Sequence, residues 1–363
     1  MTFGQISGWA DDQPSDALVA FRASCTRIVD RDHHEPFGLQ PAAGVVGDWR
    51  EPCAAAAAIP ADTTADEARA FFETWFQPWQ VADGGDAEGL FTGYYEPLLL
   101  GSRRNGGRYT VPLRKPPADL VRIELGRFNP DLQGYWIAGR ITGSGLEPYA
   151  ARGEIEAGAL DGQDLELLWV DDLIDKFFLQ IQGSGRVVLE DGSVVRVGYA
   201  AQNGHPYRAI GRDLIEIGAI PRDQVSLQTI RQWLRAAGPQ DAAAIMDRNR
   251  SYVFFEERRE LGENDGPLGS HGVPLIAGRS LAVDPRWIPL GAPVWLDTVA
   301  PYPDGEAPLR RLMIAQDTGG AIRGIVRGDV FWGAGAEAEA IAGPMRSQGR
   351  YLLLLPRTLT PLG

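Results

Sequence analysis

Cysteine, histidine and long apolar runs are scarce in this sequence, and each scarcity removes a class of function. Two cysteines, Cys25 and Cys53, cannot build a zinc site, and the four histidines, His33, His34, His205 and His271, show no ligand spacing. No metal and no cofactor is expected. No apolar run approaches the ~18 residues that a membrane-crossing helix needs. Basic residues are outnumbered: 35 Lys and Arg face 48 Asp and Glu, a net charge of −13. Nucleic acid and anionic membrane surfaces attract a basic excess, so neither is an expected partner. A neutral or peptide-bearing polymer fits better. There is no Gly-x-Ser-x-Gly elbow, and His205 and His271 sit beside glycine in turns, so no serine triad is supported. Gly183-Ser184-Gly185 lacks the lysine of a phosphate loop and leads into a strand. The N-terminal Met1-Thr2-Phe3-Gly4-Gln5-Ile6 has neither a basic region nor an apolar stretch. That leaves either a cytoplasmic chain or one whose leader has been removed.

What is present is an ordinary globular composition over 363 residues, 44% hydrophobic and 23% charged, long enough for two domains. The 44 glycines and 26 prolines point to turns and short strands rather than a helical bundle. Residues 1–12 read as extended, with Trp9 as an anchor. Leu18, Phe21, Cys25 and Ile28 fall at helical spacing after Ser15. Residues 31–62 read as loop, including the Ala54–Ala58 run and a turn at Arg50-Glu51-Pro52. Thr64 and Glu67 form a capping box for a helix with Ala68, Phe71, Phe72 and Trp75 on one stripe. Residues 89–100 read as a strand; period two puts Thr92, Tyr94 and Glu96 on one face. A polar, glycine-rich hinge follows at residues 101–107. Residues 175–189 read as a strand turning at Gly183-Ser184-Gly185. From Ser251 onward the pattern is β-rich, with strands expected at Gly272–Gly278, Ser280–Val283, Val294–Thr298, Arg311–Gln316 and Ile325–Phe331. The simplest organisation is an inserted domain. Residues 1–104 and 246–363 form one discontinuous body, and residues 105–245 form another, with a groove between them of the kind that binds ligands.

The carboxylates carry the chemistry. Leu312-Met313-Ile314-Ala315-Gln316 is an apolar strand that ends in Asp317, followed by Thr318-Gly319-Gly320. The glycines keep side chains off the backbone beside it, so a bulky ligand can approach. A β-turn in which Asp317 bonds local backbone is the other use of the same residues. Asp329 follows in Arg327-Gly328-Asp329-Val330, and Asp284 begins a turn before Pro285. Burial at the end of an apolar strand raises a carboxyl pKa, which suits protonating a leaving group near neutral pH. With Thr92, Tyr94 or Tyr95, and Glu96 lining a groove, and amides at Gln180, Gln182 and Asn203 to hold hydroxyl or acetamido groups, the reading is a glycan-cleaving site. Cys25 and Cys53 remain open between a disulfide in an exported protein and two buried thiols.

Several long segments, in order, make the sequence similar to the MltA family of membrane-bound lytic murein transglycosylases. They are Phe91-Thr92-Gly93-Tyr94-Tyr95-Glu96-Pro97, Gln182-Gly183-Ser184-Gly185 and Asn203-Gly204-His205-Pro206-Tyr207-Arg208. A terminal block completes them: Asp284, Asp317-Thr318-Gly319-Gly320 and Asp329 resemble a three-aspartate 3D pattern. The resemblance implies a mainly β protein with peripheral helices, in which a double-psi β-barrel carries a second, inserted β-barrel. It implies cleavage of the β-1,4 bond between N-acetylmuramic acid and N-acetylglucosamine in peptidoglycan. No water enters; the muramyl C6 hydroxyl attacks C1 and leaves a 1,6-anhydro sugar. Asp317 becomes the single acid/base, and Asp329 and Asp284 support it. Thr92, Tyr94, Tyr95, Glu96, Gln182, Gly183, Ser184, Asn203, Tyr207, Gly319 and Gly320 become the glycan contacts. The partners implied are peptidoglycan strands and, for recruitment, cell-wall synthesis or division complexes, with the chain itself a monomer. The compartment implied is the periplasm with outer-membrane association, where a Cys25–Cys53 disulfide is favoured. Many members carry a leader and a lipid-bearing cysteine, whereas Cys25 lies within a helix with no apolar stretch before it. Two other functions use the same residues. One is an inverting glycoside hydrolase, with Asp329 or Glu96 as base at roughly 6.5–9.5 Å from the acid. The other is a glycan-binding module without catalysis.

Overall fold

A computed structural model describes residues 1–143, 145–262 and 264–360. The chain divides into two units, one of Met1–Tyr95, Asn264–Gly333 and Glu337–Gly363, the other of Glu96–Glu263 with Ala334–Ala336. In chain order the strands are β1 Phe76–Gln80, β2 Gly89–Glu96, β3 Leu98–Ser102, β4 Val111–Arg114, β5 Leu120–Glu124, β6 Trp136–Thr142, β7 Gly145–Pro148 and β8 Glu166–Val170. They continue as β9 Ser184–Leu189, β10 Val194–Gln202, β11 Val253–Glu257, β12 Ser280–Val283, β13 Pro293–Tyr302, β14 Gly305–Asp317, β15 Arg327–Ala334 and β16 Arg346–Pro356.

In the first unit β16, β13, β14, β12, β15 and β2 pair in that order, and β16 pairs back onto β2, so six strands close a barrel without free edges. β1 adds to it through β16. Three helices, α1 Ser15–Val29, α2 Val46–Ala58 and α3 Ala65–Trp75, share its core. α3 starts as its sequence requires: the Glu67 amide donates to Thr64 Oγ1 at 3.3 Å, and the Thr64 amide to Glu67 Oε2 at 2.8 Å. α1 lies on β14, where Gln316, fully buried, donates to the Ala20 carbonyl and Ser24 Oγ and accepts from Ser280 Oγ. Cys25 of α1 and Cys53 of α2 are joined by a disulfide.

The second unit holds a six-stranded sheet, β11-β10-β9-β3-β8-β4, and a three-stranded sheet, β5-β6-β7. Strands β3 and β11 pair within this unit, so its boundaries fall outside residues 105–245 at both ends. Four local readings are corrected. Residues 173–182 are a helix, not a strand: Asp172 caps it by accepting from the Ile174 and Asp175 amides, and Gly183 ends it at φ 82°. Leu179-Gln180-Ile181-Gln182 alternates apolar and polar residues, which over so short a run imitates a strand. The alanine run belongs to α2, as expected of the best helix former, with Pro52 inside the helix. Residues 1–12 form two 3-10 turns, Phe3–Gln5 and Trp9–Asp11, rather than an extended arm. No strand forms at 272–278; a single bridge joins Leu268 and Pro274 there.

Candidate active site

β14 carries the site. Leu312, Met313, Ile314 and Ala315 are inaccessible to solvent, and the strand delivers Asp317 at its end, half-buried. β12 lies beside β14 in parallel, pairing Ala282 with Asp317, and beside β15 in antiparallel, pairing Ala282 with Asp329. The two aspartates therefore flank one alanine from opposite sides. Each strand spacing is about 4.8 Å, which puts their backbones about 10 Å apart.

The carboxylate of Asp317 is held asymmetrically. Oδ1 accepts three hydrogen bonds, from the Ser270 amide at 2.9 Å, Ser270 Oγ at 2.9 Å and the Thr318 amide at 2.8 Å. Oδ2 accepts from the Tyr94 hydroxyl at 2.9 Å. Ser270 and Thr318 are themselves bonded, Oγ to Oγ1, at 2.7 Å. Burial raises the Asp317 pKa, and the donors on its carboxylate oppose that without reversing it. The Tyr94 hydroxyl is pushed well above its ordinary range, first by burial and then by Asp317, so it stays protonated. Ser270 is brought to the strand end by a close backbone approach. A Cβ on Gly269 would lie 2.5 Å from the Gln316 carbonyl, and the His271 amide donates to that same oxygen at 3.0 Å. Burial pulls the His271 pKa down to about 4, so it is neutral at neutral pH.

Asp329 forms a second chain of contacts. Thr92 Oγ1 donates to its Oδ1 at 2.6 Å and accepts from Arg327 at 2.8 Å, and Arg327 also donates to the Leu90 carbonyl at 3.1 Å. Burial raises the Asp329 pKa to about 6; Arg327 and Thr92 pull it down, and the neighbouring Asp317 adds to the rise. Asp284 differs. Burial would raise it, but Arg286, the Gly324 amide at 2.9 Å and the Arg286 amide hold it below the ordinary carboxylate range. It stays ionised and ties the turn after β12 to the segment joining Asp317 to Asp329. Gly319 is not in the left-handed region; a Cβ there would press on Ile322 at 2.8 Å.

The first unit thus gathers Thr92, Tyr94, Asp317 and Asp329 from three strands. Tyr95 and Glu96 do not join them. Tyr95 is 1% exposed, and so is Glu96, whose carboxylate accepts from Arg186 and Arg196 in the second unit. Asn203 is committed within the second unit. It is inaccessible, donates to the Ala150 and Arg250 carbonyls, and accepts from the Tyr252 and His205 amides. Gln180 is equally committed, to Arg152 and the Val253 carbonyl. Gln182 and Gly183 end the helix of 173–182, Ser184 opens β9, and Tyr207 is partly exposed, all in the second unit. Sequence reasoning missed Ser270, Thr318 and Arg327. Their one signal was polarity next to glycine, in Gly269-Ser270-His271-Gly272 and Arg327-Gly328.

A carboxyl group with a raised pKa, one oxygen fixed by donors and the other held by a hydroxyl, is suited to general acid/base chemistry. Comparison with known proteins carries this further. Residues 90–256 match the MltA specific insert domain, and residues 279–355 match the 3D domain. Membrane-bound lytic murein transglycosylase A of Escherichia coli (strain K12) is 32% identical over 285 residues, 76% of this chain and 68% of that protein. The crystal structure of membrane-bound lytic murein transglycosylase from Agrobacterium tumefaciens superposes with a TM-score of 0.85 at 32% identity, covering 99% of this chain and 97% of that one. Escherichia coli MltA with bound chitohexaose gives 0.67 at 26% identity, covering 93% and 90%. The chain belongs to the membrane-bound lytic murein transglycosylase A family.

Proposed function

We propose that this chain is a peptidoglycan lytic transglycosylase in which Asp317 performs both proton transfers. The observation that carries this is the unequal treatment of its two oxygens. With three donors already on Oδ1, the proton of the acid form resides on Oδ2. That proton passes to the glycosidic oxygen between N-acetylmuramic acid and N-acetylglucosamine as the C1–oxygen bond breaks. The muramyl C6 hydroxyl then attacks C1, its proton goes to Oδ2, and a 1,6-anhydro ring closes. Atoms balance without water, and one residue suffices because the nucleophile is tethered. Asp329 and Asp284 support the site, and Thr92, Tyr94, Gln182, Gly183, Ser184, Tyr207, Gly319 and Gly320 contact glycan. The chitohexaose-bound relative supports a glycan substrate.

Relatives named as membrane-bound support a place in the cell envelope. We place this chain in the periplasm, at the outer membrane. Among the described residues no helix is long and apolar enough to cross a membrane.

Digestion of purified murein followed by mass spectrometry tests the reaction. Muropeptides lighter by one water than hydrolysis products are expected, and Asp317→Asn should abolish them. Reducing ends alone would overturn the proposal and assign the reaction to hydrolysis, with Asp329 activating water.

A further inference from the structure

A cavity of about 600 Å³ in the second unit contains neither Asp317 nor Asp329. Arg103, Arg186, Arg196, Arg258 and Arg259 line it, and among the described residues the one carboxylate on its wall is Glu257. This concentration of positive charge occurs in a chain whose net charge is −13.

The sheet register makes the concentration costly. Arg186 and Arg196 are direct cross-strand partners on β9 and β10, where like charges repel. Buried Glu96 accepts from both, Arg186 at 2.8 Å and Arg196 at 2.9 Å. Glu257 likewise accepts from both Arg103 and Arg259. Each of these two carboxylates is thus shared between two guanidiniums, and Arg196 also donates to the Gly262 carbonyl at 3.0 Å. Arg258 pairs with Glu256 at 2.7 Å and Glu260 at 3.6 Å, both off the wall. Its Nε has no hydrogen-bond partner among the described residues. Gly198 makes the room it needs, since a Cβ there would lie 2.7 Å from that nitrogen.

A guanidinium has five N–H donors in a planar fork matched to a carboxylate or phosphate. Arg103 and Arg259 are 47% and 83% exposed and keep donors beyond those given to Glu257. Val194, Val195 and Leu261 complete the wall, so apolar surface lies beside the charge.

We propose that this cavity is an oxyanion-binding site. Two sources offer that chemistry: carboxylates of an acidic peptide with small apolar side chains, and a free inorganic anion. The peptide source rests on the reading of murein as substrate, whose stem peptides carry such carboxylates.

The full chain carrying Asp317→Asn provides the test, because binding is then read without cleavage. It is titrated calorimetrically with a disaccharide–tetrapeptide muropeptide, with the same disaccharide lacking peptide, and with inorganic phosphate. The titrations are repeated after Arg103→Gln with Arg259→Gln, and separately after Arg258→Gln; thermal melts confirm that each variant folds. Binding of the peptide-bearing ligand about tenfold tighter than the peptide-free one, with the difference lost in the arginine variants, supports the site with stem peptide as its source. Phosphate binding that the variants abolish, with both disaccharides binding alike, supports the site with a free anion as its source. Arginine variants that change the binding of none of the three overturn the proposal. Because product analysis is a separate measurement, a failed anion site leaves the reaction assignment standing, and the reverse also holds.

Discussion

The hydroxyl of Tyr94 donates to Oδ2 of Asp317 at 2.9 Å, and among the described residues no other donor reaches that oxygen. That bond stabilises the charged form and so holds the Asp317 pKa below what burial alone would give.

Tyr94→Phe removes the donor and leaves the ring against Phe331. The Asp317 pKa should then rise further. The alkaline limb of the rate–pH profile, which reports loss of the acid form, should move to higher pH. kcat should fall about tenfold, because the carboxylate loses its orienting partner. Rates on solubilised murein across the pH range check this. A lowered kcat with an unmoved limb would mean that Tyr94 acts on substrate rather than through Asp317.

Asp329 should make stability depend on pH. Its pKa lies at about 6 in the folded chain against 3.8 for an ordinary aspartate. Between those values the folded chain holds a proton that the unfolded chain has released. The stabilisation is therefore complete below the lower value and is lost as pH rises through the upper one. Asp329→Asn should raise the urea midpoint relative to the unsubstituted chain at about pH 7 and leave little difference at about pH 4. Equal differences at both pH values would remove the titration from the account.

Asp317 was legible in the sequence because an apolar strand, a carboxylate and glycines follow one another in the chain. Thr92 and Tyr94 were legible because period two places them on one face of β2. The same rule failed for Glu96 at the end of that strand, where β2 leaves the barrel and Arg186 and Arg196 take the carboxylate. Ser270 could not be read, since its role comes from a loop laid along the end of β14, a contact between residues 47 apart. The helix of 173–182 was misread because Leu179-Gln180-Ile181-Gln182 alternates apolar and polar residues, a short-range pattern that imitates a strand. Closure of the barrel through β16 and β2 joins residues over 250 apart, beyond any local pattern.

The disulfide between Cys25 and Cys53 closes a loop of 28 residues between α1 and α2. Constraining the unfolded chain over such a loop stabilises the fold by about 2–4 kcal/mol. Reductant should lower the urea midpoint accordingly, and the Cys25→Ala, Cys53→Ala pair should unfold alike with and without reductant. A midpoint unaffected by reductant in the unsubstituted chain would contradict this.

Glu96 separates an anchoring role from a binding role most cleanly. It is 1% exposed and neutralises Arg196, which is 8% exposed. Glu96→Gln keeps the shape and removes the carboxylate charge that faces the buried Arg196 guanidinium. Such a loss costs about 3–5 kcal/mol, nearer the lower end here because Arg186, 24% exposed, is partly solvated. Urea unfolding should show that drop. Below its melting temperature the variant should still release anhydro muropeptides, since Asp317 keeps its Ser270, Thr318 and Tyr94 partners. Unchanged stability together with weakened glycan binding would reverse the assignment and return Glu96 to the substrate.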